Sequence, residues 1–126
     1  MSRLDKAKAR EKNTAYYGKG GYIMPSLMEG MRRLYPAEDV RRLAYTQSPG
    51  GDVVSVDVHG MKCWQAKQFI NNIINLSNRP FHLMVIHGYN HGTAIKDMVR
   101  NHLDNKRIMD RAADQFNLGI TYLAIA

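Results

Sequence analysis

The chain has a single cysteine, Cys63, among its 126 residues. No internal disulfide framework can therefore hold it together, and a reducing cytoplasm is the expected setting. Long apolar runs are also missing: nothing approaches the roughly 18 consecutive apolar residues that a membrane span requires. The first residues, Met1-Ser2-Arg3-Leu4-Asp5-Lys6, are charged with no apolar stretch behind them, which predicts no secretory signal. Two familiar phosphate signatures are absent too. No Gly-Lys-Ser/Thr closes a Walker loop, and no G-x-G-x-x-G opens a dinucleotide fold. Acidic residues are few, 11 against 18 Lys+Arg, for a formal net charge of +7.

The hydrophobic fraction of 44% with 23% charged residues is that of an ordinary globular domain with a real core. At this length one such domain is expected. The basic excess is uneven. Residues 1–50 hold 10 Lys+Arg against 5 Asp+Glu, whereas residues 51–126 hold 8 against 6. A basic leading segment ahead of a nearly neutral domain points to an anionic partner, nucleic acid first, or to a solubilising tail. Residues 1–22 read as a mobile arm in which Tyr16-Tyr17-Gly18-Lys19-Gly20-Gly21-Tyr22 interleaves aromatics with glycine. Such a segment buries too little surface to order alone, and it can pair with phosphates and stack on bases.

Two short helices are expected next. Ser26-Leu27-Met28-Glu29 has capping-box spacing, with Leu27, Met31, Leu34 and Tyr35 on one face and Pro36 ending the run. Ala37 to Tyr45 reads as a second helix, with Val40, Leu43 and Ala44 apolar. Ser48-Pro49-Gly50-Gly51 is a break, placed as the boundary between an N-terminal extension, 1–50, and a domain, 51–126. From Val53, alternation of valine with Ser55 and Asp57 predicts a strand. Lys62 to Asn78 is helical, Phe81 to Ile86 is an apolar strand of the kind covered on both faces, and Thr93 to Leu103 is a second helix. Arg107-Ile108-Met109 and Ile120 to Ala126 are the remaining strands. The expected fold is a compact two-layer α/β sandwich of βαβαββ order, with a mixed four-stranded sheet whose first two strands are parallel.

The residues with chemical potential sit at the ends of the first two strands. Val56-Asp57-Val58-His59-Gly60 ends one, and Val85-Ile86-His87-Gly88-Tyr89-Asn90-His91-Gly92 ends the other. Side chains two apart share a strand face, so Asp57 and His59 point the same way and Val56 and Val58 the other. A carboxylate beside an imidazole can fix the His tautomer, act as a general base or bind a divalent metal; equally, Asp57 can cap the turn and His59 be structural. The second turn reads as a phosphate cradle in which His87 or His91 lends a proton or a contact, or as a glycine-permitted turn and no more. His59, His87 and His91 come from neighbouring strand ends, but without a helical His pair or a Cys ligand they make a poor zinc site. His82 and His102 read as structural, Cys63 and Trp64 as core or interface residues, and the eight methionines as gap-fillers.

Taken together, the two turns resemble the Smr (small MutS-related) domain over about residues 53–126. That family carries an L-D-L-H-G-like string after its first strand, here Val56 to Gly60, and an apolar strand ending in H-G before a glycine-rich loop and helix, here Val85 to Gly92. It commonly closes on a glycine followed by Thr in a last strand, here Gly119-Ile120-Thr121. The loop departs from the family's H-G-x-G-T-G-x-L-R: aligned by the helix, it is one residue longer and Lys96 takes the cationic place. The resemblance implies nucleic-acid binding and endonuclease activity, nicking or cleaving DNA or RNA, in settings such as DNA repair or ribosome-associated RNA quality control. It implies Asp57 and His59 as catalytic residues and Gly88 and Gly92, with Lys96, as the holders of a backbone phosphate; Gly60, His87 and His91 of the same turns complete the expected nucleic-acid contacts, with magnesium or manganese as the cofactor to test. The alternative is a non-catalytic nucleic-acid- or ribosome-binding module.

Overall fold

The computed structural model describes residues 23–89 and 92–126. The basic arm, 1–22, and Asn90 and His91 of the second turn lie outside the described residues. The chain runs α1 (Ile23–Leu34), α2 (Ala37–Val40), β1 (Leu43–Ser48), β2 (Gly51–Asp57), α3 (Cys63–Leu76), β3 (Phe81–Ile86), α4 (Ala94–Asp97) continuing into a π-turn (Met98–His102), β4 (Ile108–Ala113) and β5 (Ile120–Ile125). It is an α/β fold on one mixed sheet, with strand order β1-β2-β3-β5-β4.

The sheet has five strands, not the expected four, and the difference lies in Ala37 to Tyr45. Only Ala37–Val40 is helical; from Leu43 the chain is extended and pairs antiparallel with β2, Leu43 opposite Val56 and Tyr45 opposite Val54. Val40, Leu43 and Ala44 have helical spacing, but over so short a window that spacing is also met by a strand, and pairing with a valine-rich neighbour prevails. The Pro49-Gly50 break is a two-residue hairpin turn, with Ser48 paired to Gly51 and Ser48 Oγ donating to the Gly51 carbonyl at 2.8 Å.

β2 and β3 are parallel, Val54 beside Leu83 and Val56 beside Val85, while β5 returns antiparallel to β3. Period-two alternation buries Val54, Val56, Val58, Leu83, Val85 and Leu123 on one face, under Ala66, Phe69, Ile70, Ile73 and Ile74 of α3. α1 joins that layer through Leu27 and Met31, both fully buried, whereas Leu34 is exposed, so the apolar stripe is narrower than its spacing implied. Ser26 lies inside α1 rather than capping it. Gly30 lets α1 approach α3: a Cβ there would stand 2.9 Å from the Leu76 methyls. The opposite face, with Met84, Ile86, Ile120 and Tyr122 half-buried, carries no helix among the described residues, so β3 is covered on one side only.

Arginines close the ends of elements. Arg107 donates to the carbonyls of Ile74, Ser77 and Arg79 past the end of α3 and to Ala126, satisfying groups the helix leaves open. Arg111 does the same for the π-turn through Val99 O at 2.6 Å and Leu103 O.

Phe69 is fully buried beneath Tyr35, edge to face with ring centroids 4.8 Å apart. Phe69→Ala should destabilise the fold by about 3–5 kcal/mol, the cost of the lost transfer energy and the cavity left behind. Urea unfolding followed by circular dichroism measures this as a fall in midpoint at unchanged slope.

Candidate functional site

The parallel pairing of β2 and β3 sets their C-terminal ends side by side, and both candidate turns leave the sheet there. At the first, Val56 and Val58 are fully buried while Asp57 is half-exposed and His59 exposed, as strand alternation predicts. Asp57 Oδ1 accepts from the His59 backbone N–H at 3.1 Å and is bonded to His59 Nδ1. A carboxylate only accepts, so Nδ1 carries a proton, and in the neutral form of the ring the lone pair is on Nε2. Arg42 secures the turn from β1's side: its Nη1 donates to the carbonyls of Asp57 at 2.9 Å and His59 at 3.3 Å. One arginine of the Arg41-Arg42 pair thus serves the backbone; Arg41 faces solvent.

At the second turn His87 points into the protein and is only 5% exposed. Its Nδ1 meets the Gly88 carbonyl at 2.8 Å and its Nε2 the Thr121 hydroxyl at 2.8 Å, and Arg100 Nε donates to that same hydroxyl at 2.8 Å. Burial first, then the charges of Arg100 and Lys96, push the His87 pKa down against the Gly88 carbonyl, which raises it. The neutral ring therefore donates through Nδ1 to Gly88, and Thr121, accepting from Arg100, donates to Nε2. With both nitrogens engaged, His87 is a structural tie between β3 and β5 rather than a proton donor facing a ligand. Arg100 and Thr121 are the residues of this tie that motif reading missed as a pair; they lie 21 positions apart and only the fold joins them.

Gly88, at φ +71°, sits against the first turn, where a Cβ would come to 3.4 Å from His59 Cβ. Its N–H and that of His87 both donate to the Gly119 carbonyl, at 3.1 and 2.9 Å. They do not face a ligand, so the cradle expected from Gly88 is a close approach between turns and not a free donor. The loop before Gly119 is held by Asp114 Oδ2, which accepts from Phe116 and Asn117 N–H groups, and by Asn117 Oδ1, which accepts from Gly119 N–H.

A depression of about 540 Å³ opens between the turns, lined by His59, Gly60, His87, Gly88 and Gly92 together with the start of α4. Lys96 is half-exposed on α4, outside that lining but close enough for its charge to reach His87. The helix expected from Thr93 to Leu103 is present from Ala94 to His102, its first four residues α-helical and the rest a π-turn. His82 and His102 are exposed and lie outside the depression. Among the described residues no group of three or more His, Cys, Asp or Glu is placed to hold a metal ion. Asp57 and His59, already bonded to each other, do not by themselves make a protein-built metal centre.

No protein-family model matches the chain, and no curated protein matches it. Among solved structures it is similar to the Smr domain of Thermus thermophilus MutS2. The likeness covers 57% of this chain and 96% of that one, at 22% identity and a TM-score of 0.48. At that level it says nothing of activity or ligand.

Because His87 is held neutral below its ordinary pKa, the unfolded chain takes up its proton first as pH falls. Its contribution is whole above about pH 6.5 and is lost on acidification below that value. Melting temperature should fall between pH 7 and 5 more steeply in the wild type than in His87→Gln, which cannot titrate; parallel slopes in a thermal scan series would refute the assignment.

Proposed function

We propose that the depression between the two turns binds the phosphodiester backbone of a nucleic acid and that Asp57 and His59 cleave it. The observation that carries this reading is the His59 ring, bonded through Nδ1 to Asp57 and lining an open cleft. A general base needs a free lone pair within reach of a hydroxyl, and His59 Nε2 is the one such nitrogen that the described turns offer.

The pair suits RNA best. There the 2′-hydroxyl is already tethered beside the phosphorus, so a base alone starts the reaction and no water or metal need be positioned. His59 Nε2 takes the 2′-hydroxyl proton. The 2′ oxygen attacks phosphorus, the P–O5′ bond breaks, and the departing 5′ oxygen takes a proton from water in the open cleft, whose hydroxide recovers the proton held at His59 Nε2. The products are a 2′,3′-cyclic phosphate and a 5′-hydroxyl. Lys96 and the basic surface of the chain favour the anionic strand and the charge that builds on the phosphoryl oxygens. DNA lacks that internal nucleophile and would need an activated water, for which magnesium or manganese is the expected aid.

A second reading, binding to nucleic acid or the ribosome without cleavage, is favoured by one observation: the Gly88 N–H and both His87 nitrogens are already committed, so the second turn supplies little to a transition state.

The test is incubation of labelled single- and double-stranded RNA and DNA with the full chain, with magnesium, with manganese and with EDTA. RNA cleavage that persists in EDTA is expected. It should fall at least about 100-fold in His59→Ala and in Asp57→Asn, the scale of a lost general base, and stop when the scissile nucleotide is 2′-deoxy. Equal cleavage by wild type and His59→Ala removes the catalytic reading, and a shifted but intact substrate selects the binding module.

A further inference from the structure

Trp64 is the only tryptophan of the chain and stands 63% exposed in the first turn of α3. A lone exposed apolar side chain is common, but an indole carries a large flat face on which another ring can stack, so what lies beside it matters. A second depression, of about 230 Å³, lies beside it, and Gly60 and Met61 line both this depression and the one at His59. The volume is below the roughly 300–1,000 Å³ of pockets for drug-sized molecules, the scale of one planar ring system. Gln65 and Gln68 line it with Trp64, and Arg42 closes its inner side. Gln65 Oε1 accepts from the Lys62 backbone N–H at 3.1 Å, which leaves its NH2 to donate, while the Gln68 amide offers both a donor and an acceptor, the pattern that base edges present. Asp39 also lines it, its carboxylate lying 3.6 Å from Arg42 Nε. Outside, Lys62, Lys67 and Arg41 are exposed, with Lys67 one turn along α3 on the Trp64 side.

We propose that the Trp64 depression is a nucleobase subsite: an unpaired base stacks on the indole while a phosphate of the same strand lies at His59. The inference rests on the nucleic-acid reading of the His59 depression and adds its substrate form. A base in a duplex has both faces covered by its neighbours, so the subsite selects single-stranded or base-flipped substrate. Aromatic stacking together with flanking cations is the usual composition of a single-strand binding surface. The amide pair and basic rim favour a base over an apolar protein segment, for which Gln65, Gln68 and Lys67 would have to be desolvated.

The single tryptophan makes the test direct. The full chain is titrated with a short single-stranded 2′-O-methyl RNA, which cannot react through its 2′ oxygen, with the same strand carrying abasic positions, and with a duplex. Indole emission reports the subsite, and anisotropy of an end label reports binding independently of it. The intact strand should quench Trp64, and removing its bases should weaken binding by about 5- to 100-fold, the range of one stacked base. Trp64→Ala should lose the same factor, should lose nothing further against the abasic strand, and should be largely rescued by Trp64→Phe. The duplex should bind more weakly and leave the emission unchanged. If the strand binds by anisotropy with unaltered emission and Trp64→Ala binds it equally well, the base subsite is wrong and the His59 site stands. If no nucleic acid binds at all, both readings fall.

Discussion

The burial of His87 between the Gly88 carbonyl and the Thr121 hydroxyl is the interaction on which the candidate site depends. β3 is the middle strand, parallel to β2 and antiparallel to β5, and its C-terminal end is where three segments meet. A buried imidazole with one nitrogen unpaired would cost about 1–3 kcal/mol, so both partners must be in place. Meeting that demand fixes the direction of the chain after Ile86, draws the Gly119 carbonyl onto two successive N–H groups, and leaves Gly88 touching His59.

The same economy governs the arginines. A net charge of +7 suggests a broadly basic surface, yet Arg42, Arg100, Arg107 and Arg111 each direct at least one guanidinium nitrogen at a backbone carbonyl or a buried hydroxyl. Guanidinium, planar and with five donors, satisfies several acceptors at once where an ammonium could not. Within residues 51–126 the exposed positive charge is therefore carried largely by Lys62, Lys67 and Lys106. An anionic strand crossing the His59 depression would meet Lys62 and Lys67 beside Trp64, and that placement, more than net charge, gives the surface a direction.

Much of the fold was legible because it follows periodicity. The valine alternation of β2 and the three-four spacing of Ala66, Phe69, Ile70, Ile73 and Ile74 are each long enough for one period to exclude the other, and β3 is marked as a strand by its shortness between Pro80 and the glycine turn rather than by a period. β1 was not legible: over Val40 to Ala44 the helical and extended periods coincide, and the choice is made by backbone donors on β2 that local sequence does not contain. The second helix was legible as a helix, and the chain is helical from Ala94 to His102, but its register was not. Its apolar spacing is right, but the π-turn at Met98–His102 shifts the hydrogen-bond register, and Leu103 N–H bonds to Met98 O at 2.7 Å.

For the candidate site, the sequence by itself determined that Asp57 and His59 share a side of the chain and that Asp57 can hold the ring, because two-residue periodicity and the reach of a carboxylate are local properties. It also determined that Gly88 and Gly92, both at positive φ, could turn where they do. Only the tertiary structure decided which histidine faces inward. His87 and His59 each precede a glycine and look alike in sequence; one meets Thr121 and Arg100 across β5 and is buried neutral, while the other meets Asp57 alone and stays in water. That distinction is set by partners 34 residues away, supplied when β5 pairs with β3.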